Sequence, residues 1–281
     1  MNSLSRPSGH EENPKAPTLW RAGRVLDRLR EHPPGPVHII DPFKVPLGEA
    51  VEKTRELTRL GVAAIILAST DYDSFESHMT PYVEAVKKVA ASPVLLHFPP
   101  RRGKGFPMVG GADAVLLPAL LGSENDYFVW KSLLETMESF PGGTSGEEWP
   151  EMLLTVALTF GEDHRTGDLL GTVPVGTVST EEIDRYIGIA RSFGFHLVYL
   201  YSRNDRVPPE VVRYFRERLD AGQILFVSGN VRSGRQVAEY LAHGADYVGF
   251  AGALERPDWR TTLAEICAGH STVPAPSGAT R

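Results

Sequence analysis

Short apolar runs bounded by small or turn-forming residues alternate along this chain with stretches whose apolar positions recur every three or four residues. Residues 224–227 make one such run and end in Ser228-Gly229-Asn230. Val237, Leu241 and Ala245 then fall at helix spacing behind a cap candidate, Ser233. Gly244 stops that helix, and residues 247–250 form the next run before Gly252. Runs at residues 37–41, 62–68, 93–98, 114–117, 152–158 and 196–201 predict six more strands, most of them preceded by a helix-patterned segment. The first helix pattern spans 19–29 and is ended by Pro33, Pro34 and Pro36. Eight strands with no Pro-rich linker among them favour a single α/β domain, a (β/α)8 TIM barrel, over a doubly wound open sheet.

One crossover departs from the pattern. Between Phe98 and Ala112 the chain reads PPRRGKGFPMVGG, too rich in proline and glycine for a helix, although parallel connections normally contain one. The third outer helix is therefore predicted to be missing. Two alternatives follow: an uncovered groove able to hold a long apolar ligand, or a mobile loop packed over the sheet.

With 281 residues, 42% of them hydrophobic and 23% charged, the chain is large enough for one barrel. A net charge of −6 gives no electrostatic footprint for nucleic acid, and the apolar runs are too short to span a bilayer, so no stable membrane insertion is expected. One cysteine, Cys267, excludes an internal disulfide framework; together with a polar N-terminus, it points to a cytoplasmic protein. Polar, Pro/Gly/Ser-rich ends give the expected boundaries: a disordered tail 1–17, a barrel 18–268 and a disordered tail 269–281.

Candidate chemistry collects where the predicted strands end. The turns after strands seven and eight expose small residues and backbone N–H groups, an arrangement that suits an anion beside a helix N-terminus. Strand one ends in HIIDPFK, where Asp41 can hold a magnesium ion and Lys44 can face a diphosphate; alternatively Asp41 caps the turn with Pro42. Strand two ends in ASTDYD, and Ser69, Thr70, Asp71 and Asp73 form either an oxygen-ligand set for a hard cation or a capped helix entry. After strand four, Ser123 or Asn125 is a helix-cap candidate, and Leu120, Leu121, Tyr127, Phe128 and Trp130 are expected core. His97, His164 and His196 lack metal-ligand spacing and are expected to be structural or superficial.

Six motifs in register resemble the geranylgeranylglyceryl phosphate synthases and their bacterial heptaprenyl relatives. They are Asp41-Pro42-Phe43-Lys44; Thr70; Ala112-Asp113-Ala114 with Leu120 to Asn125; Val198-Tyr199-Leu200; Gly229-Asn230-Val231-Arg232-Ser233; and Gly244-Ala245-Asp246 with Gly252. The resemblance implies a magnesium-dependent prenyltransferase on a modified barrel, likened to dimers, acting on small molecules: a prenyl diphosphate and a phosphorylated three-carbon acceptor. It implies catalytic roles for Asp41, Lys44 and Tyr199, Mg2+ at Asp41 and Thr70, and acceptor contacts from Ser202, Arg203, Ser228, Gly229, Asn230 and Gly252.

Three departures alter that expectation. The family's D-P-D-K becomes DPFK, with Phe43 in place of a carboxylate, the glycines of the strand-two turn become Ala68 and Ser69, and the glutamate after Y-L becomes Tyr201 in VYLYSRND. These changes resemble a divergent branch that joins a farnesyl group to the C2 hydroxyl of 3-phosphoglycerate in phosphoglycolipid antibiotic biosynthesis. The expected acceptor is accordingly 3-phosphoglycerate, its carboxylate paired with Arg203 or Arg206; the alternatives are glycerol 1-phosphate as acceptor, an inactive phosphate-binding barrel, or a barrel isomerase sharing only the phosphate loops.

Overall fold

In the computed structural model, residues 23–70, 74–139, 149–161 and 179–270 are described. Eight parallel strands close in sequence order: β1 (Gly35–Ile40), β2 (Ile65–Ala68), β3 (Val94–His97), β4 (Ala114–Leu120), β5 (Glu151–Phe160), β6 (Leu197–Ser202), β7 (Ile224–Ser228) and β8 (Tyr247–Phe250). Pairing of Gly35 to His38 with Tyr247 to Phe250 closes the ring and excludes the open sheet. Eight helices are described: α1 (Arg24–Glu31), α2 (Leu47–Arg59), α3 (Phe75–Lys87), α4 (Lys131–Ser139), α5 (Thr180–Ser192), α6 (Pro209–Arg216), α7 (Gly234–Ala242) and α8 (Trp259–His270). The expected tail 1–17 and residues 271–281 lie outside the described residues, while α8 runs through 269 and 270, which had been assigned to the tail.

Strand alternation divides the core in two. Leu197 and Tyr199 of β6 join Ile66, Leu95, Leu116, Leu153 and Phe226 in the lumen, whereas Val198 and Leu200 face the helix layer with Leu67, Leu96 and Val227. Because both faces are buried, the strands read as continuous apolar runs rather than alternating ones. β4 continues three residues past its expected end, through Pro118. Its ladder to β3 stops at Val115, so beyond that point it has an edge on that side, where a missing N–H is tolerated.

The bottom of the barrel is sealed by α1. Leu26 and Leu29 are buried in the lumen cluster, and the N–H groups of Gly23, Val25 and Leu26 donate to the Glu151 carboxylate at 2.8, 2.9 and 3.1 Å. A carboxylate at a helix N-terminus satisfies unpaired donors and complements the helix dipole. Chemistry is left the opposite end, where the strands terminate.

No helix links β3 to β4, as the proline and glycine content predicts. The connecting segment is packed rather than open. Phe98, Phe106 and Val109 are buried, the Phe106 and Gly103 N–H groups donate to Thr136 Oγ1 and Glu135 Oε2 at 2.8 and 2.9 Å, and Arg101 bridges Gly105. Gly105 has φ +66°, and a Cβ there would lie 2.5 Å from the Thr136 backbone nitrogen, so close approach to α4 requires glycine. Of the two alternatives, the segment packed over the sheet is the one observed: its own Phe98, Phe106 and Val109 fill the flank that the groove would have left open. Two further expectations are corrected near α4: Asn125 caps the 3-10 turn Asp126–Phe128 rather than the helix, and Trp130 is exposed beside Phe193, ring centroids 5.6 Å apart.

Candidate active site

At the end of β1, Asp41 fulfils its turn-capping role and also faces two groups at the mouth. Its Oδ1 accepts from the Phe43 N–H at 3.0 Å; its Oδ2 accepts from Ser69 Oγ at 3.2 Å and lies 3.2 Å from Lys44 Nζ. Lys44 is two-thirds exposed, and such a pair is weak enough for the ammonium to turn toward an incoming anion. Thr70 is exposed on the adjoining turn, while Asp71 and Asp73 lie outside the described residues.

The donors present here fit magnesium, which takes hard oxygens, keeps several waters and needs only one or two carboxylates when phosphates complete its shell. Asp41 would supply the carboxylate, and Ser69 and Thr70 the hydroxyls. No cluster of three acidic, histidine or cysteine ligands occurs among the described residues. Phe43 removes the second carboxylate of the resembled pattern and substitutes an aromatic contact, packing on His78 at 4.5 Å and Phe98 at 6.4 Å. A cleft of about 350 Å³ opens beside it, walled by Phe43, Val45, His78, Pro81 and Tyr82.

Inside the mouth, Tyr199 and Ser228 share a hydrogen bond of 2.6 Å between their hydroxyl oxygens, and the Tyr199 ring stacks on Phe226 at 4.6 Å. Burial pushes the Tyr199 phenol well above its ordinary range, so it keeps its proton. His97 meets Tyr199 edge-on at 5.5 Å. Of the two expected roles the superficial one does not apply: the ring shares its side of the strand with the lumen residue Leu95, and its Nδ1 is buried without a hydrogen-bond partner. Burial alone lowers this imidazole to about 4. The parity that puts Leu95 inside the barrel would have revealed His97 in the sequence. His196 instead holds the backbone, its Nδ1 accepting from Leu154 N–H at 3.2 Å, and His164 lies outside the described residues.

The two turns after β7 and β8 stand apart from these groups in character. Gly229 has φ +110°, and a Cβ there would lie 1.6 Å from the Ser202 carbonyl oxygen, so this glycine is demanded by the backbone itself. Asn230 follows in the left-handed region at φ 52°, where its Nδ2 donates to the Asn204 carbonyl at 3.0 Å and ties the loops after β6 and β7 together. Ser233 caps α7 as expected, accepting from Gln236 N–H. Gly252 faces open space, with its nearest neighbour 4.0 Å from a built Cβ.

The structure redistributes the remaining candidates. Ser202 follows Tyr201 with opposite parity, which turns its buried hydroxyl toward the helix layer, where the oxygen has no hydrogen-bond partner. Arg203 is half-buried in the loop after β6. Arg206 is paired, its Nη2 2.6 Å from Glu239 Oε2 and its guanidinium 5.3 Å from the Tyr240 ring. Tyr201, opposite Thr159 and Ser228 in register, stands where the resembled pattern has its glutamate.

Residues 28–269 match the PcrB family. The geranylgeranylglyceryl phosphate synthase of Methanopyrus kandleri is 30% identical over 249 residues, covering 86% of this chain and 97% of that protein. Among solved structures, wild-type GGGPS from Thermoplasma volcanium superposes with a TM-score of 0.74 at 20% identity, over 89% of this chain and 97% of that one. The (S)-3-O-geranylgeranylglyceryl phosphate synthase of Thermoplasma acidophilum, in complex with substrate sn-glycerol-1-phosphate, gives 0.73 at 21% identity, over 90% and 100%.

Proposed function

The chain belongs to the PcrB family of barrel prenyltransferases, and from that premise we propose that it transfers a prenyl group from an allylic diphosphate to a hydroxyl of a phosphorylated three-carbon acceptor, forming an ether. The observation that carries this reading is the mouth of the barrel: Asp41 with Ser69 and Lys44 on one side, and the backbone turns at Ser228–Asn230 and Gly252 on the other. The first set suits a diphosphate and the second a phosphate, and because β8 pairs with β1 the two sets are neighbours around the mouth.

In this reading Asp41 and Thr70 hold Mg2+, which supplies charge neutralisation for the departing diphosphate when bound. Lys44 leaves Asp41 to contact the diphosphate. Tyr199, fixed by Ser228 and Phe226, presents a protonated hydroxyl to the acceptor, and the aromatic walls keep water from an allylic cation forming at C1. The apolar cleft beside Phe43 supports accommodation of the donor chain near the Asp41 turn. None of the described helices is long and apolar enough to cross a membrane. The proposed protein is cytoplasmic and forms a homodimer; exposed Trp130, Leu134 and Phe193 support a self-association surface.

The relatives support glycerol 1-phosphate as the acceptor over 3-phosphoglycerate. A second reading, farnesyl transfer to 3-phosphoglycerate in antibiotic phosphoglycolipid synthesis, is favoured by one observation: Tyr201 replaces an acidic side chain and removes a repulsion that a carboxylate-bearing acceptor would meet. Incubating the protein with Mg2+, labelled farnesyl or geranylgeranyl diphosphate and each acceptor decides between them by product mass. Absence of transfer in every combination refutes both.

A further inference from the structure

With the glutamate absent, the acceptor hydroxyl needs another proton acceptor, and the lumen offers one that the resemblance does not assign. Ala68 of β2 pairs with His97 of β3, and Ile40 of β1 pairs with Leu67, so Asp41, Ala68 and His97 occupy one level at the mouth. Two strand spacings, about 10 Å, separate the Asp41 and His97 backbones. Tyr199 approaches the same imidazole from across the lumen. His97 therefore stands at the level of Asp41, two strands along, and faces the Tyr199 ring of β6.

We propose that His97 is a catalytic residue that hydrogen-bonds the attacking hydroxyl of the acceptor and takes its proton as the ether bond forms. This rests on the prenyl-transfer reading above. The bond between C1 of the donor and diphosphate oxygen breaks, and its electron pair leaves on the diphosphate. The acceptor oxygen bonds C1 and releases its proton to the imidazole, which passes it to the departing diphosphate or to solvent.

Three observations select this ring. Its Nδ1 is buried without a partner, a costly state that a substrate hydroxyl would relieve. The other described candidates are occupied or protonated: the Asp41 carboxylate faces Phe43 N–H, Ser69 Oγ and Lys44 Nζ, and the Tyr199 phenol holds its proton. His97 meets the Tyr199 ring, whose hydroxyl bonds Ser228 and whose ring neighbours Tyr201, and pairs in register with Ala68; Asp41 with Lys44 stands two strands away at the same level, and burial is the sole cause of the imidazole's lowered basicity. Entry of a diphosphate and a phosphate brings negative charge beside the ring and raises its proton affinity at the moment it is needed.

The test uses the full chain with Mg2+, farnesyl diphosphate and, separately, glycerol 1-phosphate and 3-phosphoglycerate. His97→Asn should stay folded, because the Nδ1 it replaces bonds nothing; His97→Ala loses the ring contact with Tyr199 and is compared at a temperature where unfolding data show it folded. Each should lower kcat by about 10²- to 10⁴-fold with KM for farnesyl diphosphate within a few-fold. The parent's loss of kcat toward acid pH should be absent from both variants, and added imidazole should restore part of the His97→Ala rate. Variants within a few-fold of an active parent, or with its acid limb intact, overturn the role of His97 alone. A parent that uses neither acceptor overturns the prenyl-transfer reading and this proposal with it.

Discussion

Acidification should weaken this fold through His38, and the size of the effect follows from its surroundings. His38 is 2% exposed on β1; its Nδ1–H donates to the Phe250 carbonyl at 3.0 Å, and its ring lies 4.9 Å from the Phe250 ring. Burial, with a smaller contribution from the Lys53 charge, lowers its pKa from 6.5 to about 3. Above pH 6.5 neither folded nor unfolded chain protonates this ring appreciably. Below it the unfolded chain takes a proton that the folded one refuses until about pH 3, so stability is lost as pH falls through that window. At about 1.4 kcal/mol per pH unit, the interval from pH 7 to 5 costs about 2 kcal/mol. His38→Gln keeps a donor for the Phe250 carbonyl but cannot titrate. Denaturant unfolding of both proteins at pH 7 and 5, at fixed ionic strength, should show about 2 kcal/mol less acid loss in the variant, whatever its stability at pH 7. Equal acid losses in the two proteins would refute the reasoning.

Asp41→Ala should reduce turnover below detection while circular dichroism remains that of the parent; a rate within a few-fold would remove Asp41 from the metal and diphosphate site. The two turn glycines should behave differently. Gly229→Val places a side chain against the Ser202 backbone and should cost on the order of 3 kcal/mol or more in unfolding experiments. Gly252→Val meets no close neighbour and should weaken acceptor binding at unchanged melting temperature, as calorimetry with glycerol 1-phosphate can measure. Tyr201→Glu and Arg203→Glu should each depress use of 3-phosphoglycerate more than use of glycerol 1-phosphate; equal losses on both acceptors would mean that β6 and its loop do not read the carboxylate.

Strand positions were legible because each apolar run is short and ends in turn-forming residues, and β8 was recovered to the residue. The missing helix was equally visible, since no run of that proline and glycine content can sustain helical hydrogen bonds. What covered the flank was not: burying Phe106 depends on Thr136 and Glu135 receiving backbone donors thirty residues away, a tertiary fact without local signature. Asp41 could be placed at a strand mouth from order alone, whereas its Ser69 partner depends on the β1–β2 register. The partner of Arg206 was equally hidden: Glu239 comes from α7, thirty-three positions away. The lumen-facing direction of His97 follows from strand parity with Leu95, a pattern that metal-ligand spacing does not carry.

Closure of β8 on β1 has a consequence for synthesis of the chain. Asp41 is complete in the first quarter of the sequence, while Gly229 and Gly252 emerge near its end, and the ladder from Gly35 to Tyr247 cannot form until β8 has left the ribosome. Helices and sequence-adjacent strands gain their contacts as they appear, but this seam joins residues more than two hundred positions apart and carries the high loop-closure entropy of a non-local pairing. A nascent chain halted before β8 exposes two unpaired parallel edges, those of β1 and β7, with no second half of the mouth to bind an anion. Competence for ligand and protection from edge-to-edge association therefore arrive together, in the same final pairing step.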